Sequence, residues 1–200
     1  MKYLKFPYVL FVLYLVLFIL LAIAPFDRTV WLVENIPVVL IVLILVITYK
    51  KFQFSNVAYF LMFIFIVLHT IGGHYTFARV PFDWITDVFG FERNNFDRLA
   101  HFCIGLYAYP FMEILIKLKR VKSKVVLLTY GVLVIMTIAG GYEIFEWRYA
   151  IIENSQAGIE VLGSQGDIRD AQKDIFADAL GAIFSTIVFY IVKKKEIKKI

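Results

Sequence analysis

Six stretches of the chain stay mostly apolar long enough to cross a bilayer. They cover residues 6–24, 33–49, 56–73, 97–118, 125–149 and 170–192, each near the roughly 20 mostly apolar residues that a spanning helix needs. The pattern predicts an all-α, polytopic membrane protein of about six transmembrane helices, one compact bundle and a single domain over residues 1–200. Pro37 falls in the first turn of the second stretch, a position that helices tolerate. No low-complexity segment or internal repeat interrupts the series.

Composition agrees. The chain is 61% hydrophobic with a mean hydropathy of +0.77, whereas soluble domains are about 45–50% apolar. A small globule leaves much of its surface wet, so lipid has to solvate the excess. The single cysteine, Cys103, excludes an internal disulfide framework and reads as a small packing residue. The first stretch resembles a signal peptide, with Lys2 and Lys5 before it and Ala22-Ile23-Ala24 at its end. Its apolar run is longer than the usual 7–15 residues and Pro25 would follow the cut, so a retained helix is expected.

The net charge of +5 points to lipid and away from nucleic acid, because the basic residues gather in short runs beside apolar segments. Lys2 and Lys5, Lys50 and Lys51, the cluster over 117–124 and the run from Lys193 hold fourteen of the 21 basic residues and fall on one face. The positive-inside rule makes that face cytoplasmic. Both termini are then cytoplasmic and the location is the plasma or inner membrane. Of the 16 acidic residues only Glu113 and Glu196 belong to the inner half. Carboxylates contribute little to topology, so the outer bias implies a polar site.

The sixth stretch fixes its depth. After Asp178 only residues 179–192 remain apolar, about 21 Å of helix against a hydrocarbon core of roughly 30 Å. Asp178, with Asp174 above it, is drawn into the outer leaflet. Asp170, Asp174 and Asp178 are four apart and share a face, and buried carboxylates need partners or protons. Asp97 and His101 share a face at the outer end of the fourth helix. His69 and His74 end the third. Glu143 and Glu146 share a face of the fifth, where Gly140 and Gly141 are expected to admit a neighbouring helix. Arg93, Arg98, Arg148 and Arg169 lie near the same level.

Two outer loops close over this layer. Residues 75–96 carry Phe77, Phe82, Trp84, Phe89, Phe91 and Phe96, a composition suited to the headgroup level. Residues 150–169 include the turn Gly163-Ser164-Gln165-Gly166-Asp167, with Asp167 or Asp170 able to cap the following helix.

The motifs GGHYTF (72–77), RNNFDRLAHF (93–102), YEIFEW (142–147) and GSQGDIRDAQKD (163–174) resemble the YjdF-like family of uncharacterised bacterial inner-membrane proteins. More distantly, the order Asp-Arg-x-x-His, Glu, Gln and Arg-Asp is similar to the VanZ-like membrane proteins. The resemblance implies a six-helix membrane protein and supplies no reaction. It picks out His74, Tyr75, Arg93, Asn94, Asp97, Arg98, His101, Glu143, Glu146, Gln165, Asp167, Asp170 and Asp174, nearly the set chosen from depth and spacing.

Each candidate has a chemical and a structural reading. His74, Asp97, His101, Glu143, Glu146, Asp170 and Asp174 are the catalytic candidates. In the leading scheme His101 is a general base oriented by Asp97, and Glu143 or Glu146 donates a proton. Arg93, Asn94, Arg98, Gln165, Asp167 and Arg169 are the binding candidates, with arginine suited to an anionic headgroup. A divalent metal (zinc, manganese or iron) fits the Asp stripe with His74 and His101, although no tight ligand signature such as His-Glu-x-x-His is present. The structural reading makes all of these helix-to-helix ion pairs. His69 carries no functional assignment, and Glu113 is expected to pair with Lys117. Three functions remain open. One is an enzyme, a hydrolase or transferase acting from the outer face on a lipid-linked or amphiphilic substrate. The others are a proton- or cation-binding transport-type protein and a structural membrane protein. The oligomeric state is not specified by the sequence.

Overall fold

The computed structural model describes residues 5–153 and 156–200, and all regular structure among them is helical. Lys2, one of the inner basic residues, lies outside the described residues. The order is α1 (Phe6–Leu21), α2 (Arg28–Thr48), α3 (Asn56–Tyr75), a 3₁₀ turn (Phe77–Arg79), α4 (Asp83–Phe89), α5 (Phe96–Gly105), α6 (Ala108–Lys117), α7 (Lys124–Glu153), α8 (Gln156–Leu162), α9 (Asp170–Val192) and α10 (Lys194–Ile197). Five segments are long and apolar enough to cross a membrane: α2, α3, α5 with α6 as one unit, α7 and α9. The sixth, α1, has 16 residues, about 24 Å at 1.5 Å per residue.

The fourth expected span is broken in its middle, and Pro110 is the cause. It has no N–H to return to the carbonyl of Leu106, so the helix cannot continue in register. Ser185 of α9 fills the gap: its hydroxyl donates to the Leu106 carbonyl at 2.9 Å and accepts from the Tyr109 N–H at 3.1 Å. The freed backbone groups are thereby satisfied where no water is at hand.

Helix α2 begins five residues before the expected start. Asp27 accepts from the N–H groups of Thr29 and Val30 at 2.7 and 2.9 Å, an N-cap that extends the helix outward. Pro37 therefore lies inside the helix and not in its first turn. Glu34, at the edge of the expected span, sits two turns down and is 1% exposed.

The closest approach in the bundle is between α5 and α9. A Cβ on Gly181 would lie 1.9 Å from the Phe102 carbonyl oxygen, and one on Gly105 2.5 Å from the Asp178 carbonyl oxygen. Gly140 and Gly141, expected to play this role, have nothing within 4 Å of such a Cβ. This corrects the sequence expectation: the two glycines of α7 do not mark a helix crossing.

Helix α7 is 30 residues long, about 45 Å, so it outreaches a core of roughly 30 Å. At its C-terminal end α8 folds back on it, with Gly158 against Ala150. The aromatic loop of residues 75–96 divides. Phe77 and Phe96 pack inward with Val80 and Ala100, while Trp84, Phe89 and Phe91 remain exposed. Near the end of α6, Glu113 accepts from the N–H and hydroxyl of Ser55 and pairs with Lys117 at 2.8 Å, as the i,i+4 spacing predicts.

Candidate functional site

The α5–α9 contact sets the register of the site, because His101 and Asp178 project from the helices that Gly105 and Gly181 bring together. The His101 Nδ1–H donates to Asp178 Oδ2 at 3.1 Å. The other ring nitrogen, Nε2, faces three carboxylates: Asp97 Oδ1 at 3.6 Å, Asp174 Oδ1 at 3.7 Å and Glu143 Oε1 at 3.9 Å. Three helices, α5, α7 and α9, thus converge on one imidazole. Glu143 Oε1 and Asp178 Oδ1 are buried and have no hydrogen-bond partner.

Above this centre lies a guanidinium layer. Arg98 pairs with both Asp170 and Asp174. Arg93 donates to Asp170 and also to the carbonyls of Ser164 and Gly163 at 3.2 and 3.4 Å. The segment that leads into α5 is thereby tied to the turn that leads into α9. That turn needs left-handed backbone at Gly163 and Gly166, with φ of +65° and +83°. Gln165 donates to the Asn94 carbonyl, while Asn94 donates to the Val80 carbonyl and accepts from the Phe96 N–H. Asp167 accepts from Lys173 and from the Arg169 N–H, and lies 3.8 and 3.7 Å from Arg93 and Arg98. It does not cap α9, whose N-cap is Arg169 with no side-chain bond.

Several expectations change here. Asp178 orients His101 more directly than Asp97 does. His74 stands apart from the cluster: its Nδ1–H donates to the Leu21 carbonyl at 2.8 Å and its own carbonyl accepts from the Phe26 N–H. It fastens the α1–α2 connection to α3. Asn94 and Gln165 hold loop backbone, and Arg169 is exposed, so none of the three reaches the centre. Arg93 and Arg98 are engaged with carboxylates, which leaves less of their charge for an outside anion.

A second group was not singled out by sequence. His69 Nε2–H donates to the Glu34 carbonyl at 2.9 Å and lies 3.2 Å from the Glu34 carboxylate, which also accepts from the Tyr142 hydroxyl at 3.0 Å. Room for Glu34 comes from Gly73, where a Cβ would lie 3.1 Å from the Glu34 Cβ; at Gly72 it would strike the Phe77 ring. A cavity of about 130 Å³ is lined by residues of both groups, His69 and Tyr142 of the second and Asp97, His101 and Asp178 of the first, together with Glu146. Its remaining wall, including Phe65, Phe77 and Ile138, is apolar.

Comparison with known proteins accounts for the motifs. A family described as "Predicted membrane protein (DUF2238)" matches residues 6–195. The inner membrane protein YjdF of Escherichia coli (strain K12) is 33% identical over 165 residues, covering 82% of this chain and 78% of that protein. No solved structure matches. The more distant likeness to VanZ-like proteins finds no support in these matches. Three of the four motif-bearing segments meet around His101, and the chain belongs to the DUF2238 family of membrane proteins.

Proposed function

We propose that the protein is a membrane-embedded hydrolase or transferase that acts on a lipid-linked or amphiphilic substrate from the outer leaflet. The observation that carries this reading is the placement of His101. Its Nδ1 is held by a buried carboxylate, and its ring and Asp97 line a cavity shared by polar and apolar side chains. A base oriented through its far nitrogen, beside a space for a reacting group, is the arrangement that nucleophile activation requires. A water or substrate hydroxyl gives its proton to the His101 centre as it attacks. Glu146, in the cavity wall, is placed to protonate the leaving group. Arg169, exposed in the turn that leads into α9, would meet an anionic headgroup.

The transport reading has weaker support. A conducting path needs ionisable groups toward the inner face, and Glu113 is already bound by Ser55 and Lys117. On the positive-inside argument both termini are cytoplasmic and the His101 centre faces outward. Alkaline phosphatase fused after Ile200 is then inactive, and a cysteine at Ile168, which is 93% exposed, is labelled from the outside by an impermeant maleimide.

The functional test is lipid and envelope profiling of a deletion strain carrying wild type, His101→Ala or no copy. The wild type alone restores the profile. Identical profiles in all three strains would remove the enzyme reading.

A further inference from the structure

We infer that Asp97, His101 and Asp174 bind one divalent transition-metal cation, with Glu143 beside it and the cavity at its open side. The inference rests on the reading of this same centre as catalytic and names the group that activates the nucleophile.

The first argument is geometric. One carboxylate oxygen from Asp97, one from Asp174 and a ring nitrogen of His101 lie within 4.8 Å of one another. From His101 Nε2 the two oxygens are at 3.6 and 3.7 Å. Ligands about 2.0–2.2 Å from a tetrahedral zinc are about 3.4 Å from each other. The two edges from His101 are therefore within a few tenths of an ångström of a coordination shell, and the edge between the carboxylates is within about 1.4 Å of it.

The second argument is independent of that spacing. The Glu143 side chain is 9% exposed and aims a buried oxygen, without a hydrogen-bond partner, to 3.9 Å from the same nitrogen. A buried unpartnered carboxylate oxygen is costly, and here it points where a cation or its bound water would lie. The third argument is charge. Arg93, Arg98 and Lys173 pair across the cluster with Asp97, Asp167, Asp170 and Asp174, while Asp178 and Glu143 find only His101 among the ion pairs. Low-dielectric surroundings require the negative excess to be met by protons or by a cation.

The outer shell fits as well. Metal-bound histidines usually donate their other N–H to a carboxylate, which fixes the tautomer, and Asp178 holds that place. A mixed set of one imidazole and carboxylates suits zinc, manganese or iron(II) more than calcium. With a cation held by three protein ligands, His101 Nε2 would be a ligand and no longer the base, so Glu143 would take its place and receive the proton of a water at the side open to the cavity.

The experiment uses the full chain in lipid nanodiscs, stripped with chelator and titrated with MnCl₂ and separately with ZnCl₂. One ion bound per chain, a raised melting temperature and, for manganese, nitrogen modulation in the electron spin echo are expected. His101→Gln abolishes the nitrogen signal. Asp174→Asn and the milder Glu143→Gln weaken binding by about ten-fold or more, and circular dichroism checks that each variant folds. Stripped wild type that binds neither ion overturns the inference, as does binding that folded Glu143→Gln and His101→Gln leave unchanged. The two proposals separate cleanly. Metal binding with no change in the lipid profile sinks the enzyme and keeps the cation, whereas a lipid conversion unaffected by chelator keeps the enzyme and sinks the cation.

Discussion

His101 and Asp178 are joined across α5 and α9 at 3.1 Å, and the Asp178 side chain is completely buried. An ionised carboxylate can only accept, so a proton sits on Nδ1, and Nε2 is turned toward Asp97, Asp174 and Glu143. Replacing Asp178 by Asn removes the charge that holds this tautomer. Manganese affinity is expected to fall about 10–100-fold, the usual cost of losing an outer-shell partner, while helical content is kept. Unchanged affinity would make Asp178 a packing residue.

Gly181 makes that contact possible. Gly181→Ala and Gly105→Ala each force backbone against backbone, where nothing flexible can yield, and each is expected to cost about 1–3 kcal/mol or more. Gly140→Ala and Gly141→Ala meet open space and should change stability by less than about 1 kcal/mol. Thermal melting of the four variants in one detergent compares them directly. Equal losses at all four positions would contradict the α5–α9 crossing.

The sequence made the bundle and the level of the site legible for a simple reason: charge in a span is costly, so its position along an apolar run reports depth. The short apolar remainder after Asp178 located the cluster without any contact information. Azimuth was harder to read. Asp97 and His101 share a face by spacing, yet the imidazole turns its near nitrogen to Asp178 of another helix, and nothing along one strand of sequence encodes that choice. Gly140-Gly141 looked like a crossing, but a pair of adjacent glycines says only that a neighbour is permitted. Glu34 was missed because the second span was started at residue 33, making it a terminal acid. The signal lay in Asp27, whose capping side chain moves the helix start outward and leaves Glu34 deep in the span. Pro110 carried the break in the fourth span, since its missing N–H is visible in the sequence itself.

Tyr142 and Glu34 give a separate test, because their bond couples α7 to α2. Tyr142→Phe removes one donor from a buried carboxylate and is expected to lower stability by about 0.5–2 kcal/mol, within the range of hydrogen bonds in membranes. Glu34→Ala deletes the acceptor for Tyr142 and the packing over Gly73, and should cost more. If instead Glu34→Ala melts above wild type, the carboxylate is held at the expense of stability, as groups kept for chemistry are.

Acid titration isolates the outer loops from the membrane site. Arg79 pairs with Glu160 of α8, with a second bond of 2.8 Å, and its guanidinium lies 4.2 Å from the centre of the Phe26 ring. The Arg79 hydrogen bond, helped by Gln156, holds the Glu160 carboxyl below its ordinary range. A carboxylate with a depressed folded value binds fewer protons than the unfolded chain does. Its contribution is therefore complete above about pH 4.3, the ordinary glutamate value, and is lost as pH falls through the lower folded value. Wild type should melt slightly above Glu160→Gln at pH 6–8, by an amount worth about 1 kcal/mol or less for so exposed an arginine. The difference should shrink to zero in strong acid. Because α8 leads directly into the turn that presents Gly163 to Arg93, a gap that persisted at pH 2 would mean that Glu160 acts through packing and not through its charge.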